Sequence, residues 1–143
     1  SAKAGSVAAE RQPRVHTFRQ VHQLVSTITC EIDPDVTDLE AIERVFPAGS
    51  MTGAPKVSAM ALCDRYEKSK RGVYAGAVGY FSPDGNFDFN VVIRTLLYNR
   101  AKQYLSFHTG GAITIDAEAE KEYAECLLKA NGILIALDTQ LED

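Results

Sequence analysis

Apolar and polar positions first fall into a pattern at Val21–Ile32, where VHQLVSTITCEI is rich in β-branched residues and Leu24, Ile28 and Ile32 share one face. This pattern predicts a strand. Asp33-Pro34-Asp35 breaks it, and Asp38 is the expected N-cap of a short helix carrying Leu39, Ile42 and Val45 or Phe46 before Pro47 stops it. A loop is expected over Gly49–Gly53. Ala54-Pro55 then opens a helical run to about Glu67, with Pro55 in its first turn and Thr52 as candidate cap. Gly72–Phe81 and Phe87–Asn99 read as strands joined by Ser82-Pro83-Asp84-Gly85-Asn86, a hairpin-turn composition. Tyr104–Thr109 and Ala112–Ile115 predict a further strand interrupted by Gly110-Gly111. From about Ala117 to Leu137 the period changes. Tyr123, Leu127, Ala130, Leu134 and Leu137 recur at helical spacing and predict one buried stripe on a long amphipathic helix. The Ala/Ser/Gly-rich opening, residues 1–15 with Arg11–Arg14, reads as a linker or disordered end, leaving 16–143 as the structured portion. Hairpins flanked by helices define an α+β class, a mostly antiparallel sheet with helices packed on it.

Composition narrows the function. The chain has 143 residues, 45% hydrophobic and 24% charged, at globular averages. A net charge of −4 disfavours a nucleic-acid module, whose footprint would be basic. No apolar run approaches the roughly 18–20 residues that span a membrane, and Ser1–Glu10 has no apolar region of a secretory signal. Cys30, Cys63 and Cys126 are odd in number and form no CxxC, so reduced thiols in a cytoplasmic protein are expected rather than a disulfide framework. His16, His22 and His108 are scattered, without zinc spacing.

Several segments could carry chemistry. GSMTGAPK, Gly49–Lys56, lacks the spacing of a phosphate loop, because three residues rather than four separate its glycines and Ala-Pro precedes the lysine. It reads either as a helix N-terminus facing an anion or as an ordinary capped connection. On the last helix Glu118, Glu122, Glu125 and Lys129 share a stripe roughly 120° from the apolar one. Two carboxylates one turn apart can hold Mg²⁺, and they also suit a solvated face with a Glu125–Lys129 pair. Arg94 sits within the apolar run NVVIRTLL and alternates with Val92 and Leu96, which predicts an inward guanidinium facing a structural carboxylate or an anionic ligand. Gly110-Gly111 permits close approach of a ligand or forms a bulge. Tyr74 and Tyr80 are expected on strands, packing into the core.

In order, FPAGSMTGAPKVSAM, GVYAGAVGYFSPDGNFDFNVVIRTL, the Gly-Gly strand and EAEKEYAECLLKA closely resemble the chorismate-binding enzymes, from about Val21 to Leu137. This family includes aminodeoxychorismate synthase component I, anthranilate synthase component I, isochorismate synthase and salicylate synthase. FPAGSMTGAPK and DFNVVIRTL look most like the aminodeoxychorismate branch, with anthranilate synthase close behind. The resemblance implies that Glu125 ligates Mg²⁺, that Glu122 acts beside it, and that Lys129 helps hold the substrate's anionic end. It implies Arg94 and Tyr74 at the enolpyruvyl carboxylate, backbone N–H groups of Gly110 and Ala112 at a carboxylate, and Ser50, Thr52, Gly53 and Lys56 along one wall. The implied partners are chorismate and a glutamine amidotransferase subunit or domain that supplies ammonia. A non-catalytic module that keeps the carboxylate site is the alternative from another class.

Departures from the family pattern carry expectations of their own. Gln23 stands where most members have a histidine, with His22 one residue earlier and on the opposite face by alternation. Ala112 replaces a family glycine, and Asp116-Ala117-Glu118-Ala119 replaces Asp-Ser-x-Pro. Family members are several hundred residues long. With no initiator Met, the chain reads as the C-terminal half of the chorismate-binding fold, inactive alone, lacking its N-terminal half and exposing surfaces prone to self-association.

Overall fold

A computed structural model describes residues 1–9, 13–18 and 22–139. The chain divides into two compact units, one through Gly49 and one from Ser50 onward.

In the first unit β1 (Ala8–Ala9) pairs antiparallel with β4 (Ile28–Thr29), and β2 (Arg14–Thr17) pairs with β3 (His22–Val25). The opening is therefore not a linker. An Ala2–Ile32 bridge, a Lys3 N–H donating to the Glu31 carbonyl at 2.9 Å and a Lys3–Glu31 ion pair at 2.7 Å continue the first ladder. Small and polar side chains signal only that little is buried there, and β1 and β2 are indeed exposed throughout. Backbone groups pair without regard to side-chain apolarity. The single strand expected over Val21–Ile32 is two, split at Ser26-Thr27 into different ladders, and Val21 itself lies outside the described residues. Leu24 is 72% exposed, so the alternating set does not face a core. His22 sits opposite Thr17 and Gln23 opposite His16, with the Thr17 hydroxyl 3.1 Å from His22 Nδ1.

Helix α1 (Asp38–Val45) forms as expected, but its N-cap is Thr37 rather than Asp38. The Glu40 N–H donates to Thr37 Oγ1 at 3.3 Å, and the Thr37 N–H donates to Glu40 Oε2 at 2.9 Å. This reciprocal box needs Ser or Thr at the cap and Glu or Gln three residues on, and Asp38 would offer Ala41 there. The Thr37 donors also hold the Glu40 carboxyl below its ordinary value. Thr37→Ala should destabilise the first unit by about 1 kcal/mol in chemical denaturation, the usual cost of losing a cap.

The second unit opens with α2 (Gly49–Thr52), a single helical turn where a loop was expected, followed by α3 (Lys56–Tyr66). Thr52 lies inside α2 and does not cap α3. Pro55 holds the N-cap position, one residue before the first turn, and no side chain caps that helix. Gly53 has φ +122°, and a Cβ there would meet Ala59 Cβ at 3.0 Å. β5 (Ala77–Phe81) and β6 (Phe87–Val91) form the expected hairpin, closed by Ser82 N–H to the Asn86 carbonyl at 2.8 Å. Phe81, Phe87 and Phe89 cluster with ring centroids 5.4–6.2 Å apart.

Both expected strands are shorter than the pattern suggested. Gly72 and Ala75 have φ +60° and +67°, which places Tyr74 in a turn and not on a strand. β6 ends at Val91 because the next strand, β7 (Leu97–Asn99), leaves to pair with β8 (Tyr104–Ser106), and the chain must turn between them. Ala112–Ile115 forms no strand, and Ile115 is almost fully exposed. The α+β class stands, and among the described residues every ladder is antiparallel, although the strands join as four separate pairs.

Helix α4 (Ala119–Ala136) closes the unit. Ala130 and Leu134 of the expected stripe are buried, but Tyr123 is 67% exposed and the covered side shifts to Ile133, Cys126, Lys129 and Glu122. The backbone at Gly111 packs on the Glu122 and Cys126 side of the helix, so that edge is partly covered beside the buried Ala130, Ile133 and Leu134. Among the described residues, the buried apolar set is Ala41, Ala75, Val92, Ala130, Ile133 and Leu134, a thin core beside many exposed Val, Ile, Leu and Tyr side chains.

Candidate functional site

The second unit encloses a pocket of about 510 Å³. Its walls come from α2, the end of α3 with the loop to Tyr74, the break after β6, the segment 108–112 that follows β8, and Lys129 of α4. The turn that presents Tyr74 is built by a Tyr74 N–H bond to the Arg71 carbonyl at 3.0 Å and a Gly76 N–H bond to the Val73 carbonyl at 3.1 Å. Ala75 N–H then reaches the Val92 carbonyl at 3.0 Å, and Val92 N–H reaches the Gly76 carbonyl at 2.9 Å. These two bonds hold the Tyr74 turn against the break that carries Arg94.

Tyr74 is half-buried and stacks on His108, with ring centroids 5.5 Å apart and planes 20° from parallel. Gly110 lies directly against the tyrosine, since a Cβ there would stand 2.8 Å from the Tyr74 hydroxyl. At Gly111 a Cβ would stand 2.7 Å from Glu122 Oε2. At both positions the backbone comes close to a polar side chain, and a methyl group would press on the end of that side chain. Lys129 Nζ donates to the Gly110 carbonyl at 2.9 Å and pairs with Glu125 Oε1 at 2.6 Å. Tyr74, the Gly-Gly segment, Glu122, Glu125 and Lys129 thus form one connected cluster drawn from three parts of the chain.

Of the residues singled out from sequence, Ser50, Tyr74, Arg94, Gly110, Ala112 and Lys129 all line this pocket. Glu122 and Glu125 flank it through Gly111 and Lys129. Thr52 and Lys56 are not in its wall. Arg94 arrives by a different route from the one expected: it lies beyond β6 at φ +51° and is exposed, so strand alternation does not govern its direction.

Arg71, Glu67 and His108 line the pocket without having been singled out. Glu67 and Arg71 are four residues apart at a helix end, a spacing that marks an ion pair. The Arg71 bond holds the Glu67 carboxyl below the usual carboxylate range, and Glu67 in turn raises the guanidinium. His108 Nδ1 is buried and has no hydrogen-bond partner among the described residues. The lining carries Lys68, Arg71, Arg94 and Lys129 against the single carboxylate of Glu67, a balance suited to an anionic ligand.

The acidic pair also fits a hard cation. Glu122 and Glu125 offer carboxylate oxygens one turn apart beside the pocket, and Mg²⁺ is commonly held by one or two carboxylates with waters and substrate completing its shell. Among the described residues no group of three or more metal-binding side chains gathers. No helix among the described residues is long and apolar enough to cross a membrane.

The family model for chorismate binding enzyme matches residues 1–135, and the chain belongs to that family. It is 43% identical over 138 residues to aminodeoxychorismate synthase of Streptomyces griseus, covering 96% of this chain and 19% of that protein. It is 39% identical over 135 residues to anthranilate synthase component 1 of Mycolicibacterium smegmatis, covering 94% of this chain and 25% of that protein. Among solved structures it matches anthranilate synthase component I of Streptococcus pneumoniae at TM-score 0.79 and 36% identity, over 90% of this chain and 29% of that one. The chain thus spans about a fifth to a quarter of the length of the Streptomyces and Mycolicibacterium relatives.

Proposed function

We propose that this chain is the C-terminal portion of a cytoplasmic, Mg²⁺-dependent chorismate-utilising synthase, an aminodeoxychorismate synthase that uses ammonia released from glutamine by an amidotransferase subunit or domain. The observation that carries this reading is the meeting of Ser50, Tyr74, Arg94, Gly110, Ala112 and Lys129 around one cation-lined pocket, with Glu122 and Glu125 at its flank. Identity to aminodeoxychorismate synthases of 43–44%, against 38–39% to anthranilate synthases, favours the folate branch. The structural likeness to an anthranilate synthase supports tryptophan synthesis as the second reading.

Chorismate carries two carboxylates, and the pocket offers complementary means of holding them. The Arg94 fork and the backbone N–H groups of Gly110 and Ala112 bind and orient one carboxylate, with the Tyr74 hydroxyl beside it. Glu122 and Glu125 would hold Mg²⁺, which would supply neutralisation of the other carboxylate and polarisation of the ring. Lys129 positions Glu125 and the Gly110 carbonyl on the side where the anion arrives. The exposed apolar residues are the surface on which the rest of the synthase packs, so the 143-residue chain alone is inactive and self-associates.

The test is to incubate the complete synthase with chorismate, Mg²⁺ and ammonia and to identify the product by mass. Aminodeoxychorismate, converted to para-aminobenzoate only when a lyase is added, is the expected product. Direct formation of anthranilate would move the protein to tryptophan synthesis, and turnover by the 143-residue chain alone would overturn its dependence on the rest. Failure of the complete protein to consume chorismate would leave a binding module.

A further inference from the structure

Arg71 contacts three segments of the second unit. Its Nε donates to Glu67 Oε1 and Oε2 at 3.1 and 2.8 Å, and Nη2 donates again to Glu67 Oε1. Nη1 donates to the Met51 carbonyl at 2.7 Å, and Nη2 reaches Cys63 Sγ at 3.4 Å. Through its own carbonyl, Arg71 accepts the Tyr74 N–H that shapes the next turn. The half-buried side chain therefore ties α2 to the end of α3, while the backbone of the same residue shapes the Tyr74 turn.

α2 is four residues long with none buried, and a single helical turn is not stable by itself. It nevertheless carries Ser50 into the pocket wall, immediately before the Met51 whose carbonyl Arg71 grips. We propose that Arg71 and Glu67 are a positioning pair for the substrate pocket: Glu67 orients the guanidinium, and the guanidinium sets the Ser50 wall against Tyr74. The guanidinium lies at the pocket edge, yet three of its donor groups are directed at Glu67, Met51 and Cys63. This assigns it to the frame of the site. The proposal rests on the reading of the pocket as the chorismate site, but its structural half can be tested separately.

The experiment compares Glu67→Gln and Arg71→Lys in the complete synthase by amide hydrogen exchange and by steady-state kinetics. Each variant should speed exchange at Met51–Gly53 by about tenfold or more, while α4 and the backbone-bonded turn at Tyr74–Gly76 keep their protection. Each should also lower kcat/KM by about 10- to 100-fold, as expected when pocket walls shift by a fraction of an ångström to an ångström. A pair that served only overall stability would lower the melting temperature and leave kcat/KM of the folded enzyme unchanged, which would overturn the proposal. So would loss of activity in Arg71→Lys with Glu67→Gln unaffected, because Arg71 would then act on the substrate without needing its partner. If the parent consumes no chorismate, the functional reading fails, and the exchange at Met51–Gly53 still decides whether the pair sets the pocket wall.

Discussion

In the complete synthase, Glu125→Ala is expected to lower Mg²⁺-dependent chorismate turnover by at least about 10²-fold, the scale seen when a principal electrostatic stabiliser is removed. The fold should survive. The Glu125 side chain is 49% exposed on a helix, alanine is the strongest helix former, and the Glu125–Lys129 pair contributes only a few tenths of a kcal/mol at such a position. Circular dichroism and the melting temperature should therefore stay near the parent values while calorimetric titration shows weakened Mg²⁺ binding. Retention of both turnover and Mg²⁺ affinity would return the Glu122/Glu125 flank to an ordinary solvated face. Glu122→Ala should behave similarly, with an added loss of the carboxylate that lies against Gly111.

A second large effect is expected from adding one methyl group. Gly111→Ala places a Cβ 2.7 Å from Glu122 Oε2, while the nearest backbone atom, the Glu122 carbonyl oxygen, is at 3.7 Å. The residue does not occupy the positive-φ region, so alanine adopts its backbone without strain. The carboxylate is a flexible end and gives way, and the cost falls on the position of Glu122 rather than on folding. Turnover should drop by about 10²-fold with little change in melting temperature, the signature of a catalytic group displaced by about an ångström. Gly110→Ala applies the same pressure to the Tyr74 hydroxyl at 2.8 Å and should chiefly raise KM. An active Gly111→Ala enzyme would mean that Glu122 works equally well from a displaced position.

Much of this arrangement is written in local signals. The Thr37-x-x-Glu40 box, the Ser82–Asn86 turn and the helical period from Ala117 onward each act within a few residues, and α1, the β5–β6 hairpin and α4 lie where those signals put them. The residues that gather at the pocket were legible because their order along the chain resembles a family, not because any one spacing was decisive. Arg94 illustrates the difference. Alternation through NVVIRTLL predicted an inward strand residue, and the side chain reaches the pocket wall from a positive-φ break instead. Alternation holds only while a strand persists, and whether it persists depends on where its partner lies.

The amino-acid sequence by itself determined the α+β class, the three longer helices, the central hairpin and the family, because capping, turn chemistry and hydrophobic period are short-range effects. Tertiary structure alone decided which flank of α4 is covered, where the strands after Val91 find partners, and how Arg71 grips a carbonyl twenty residues earlier in the chain. These outcomes depend on groups distant in sequence competing for one another's surface and hydrogen bonds. The Glu122, Cys126 and Lys129 edge of α4 is partly covered because the Gly110-Gly111 backbone lies against it, and no periodicity within the helix can announce that neighbour.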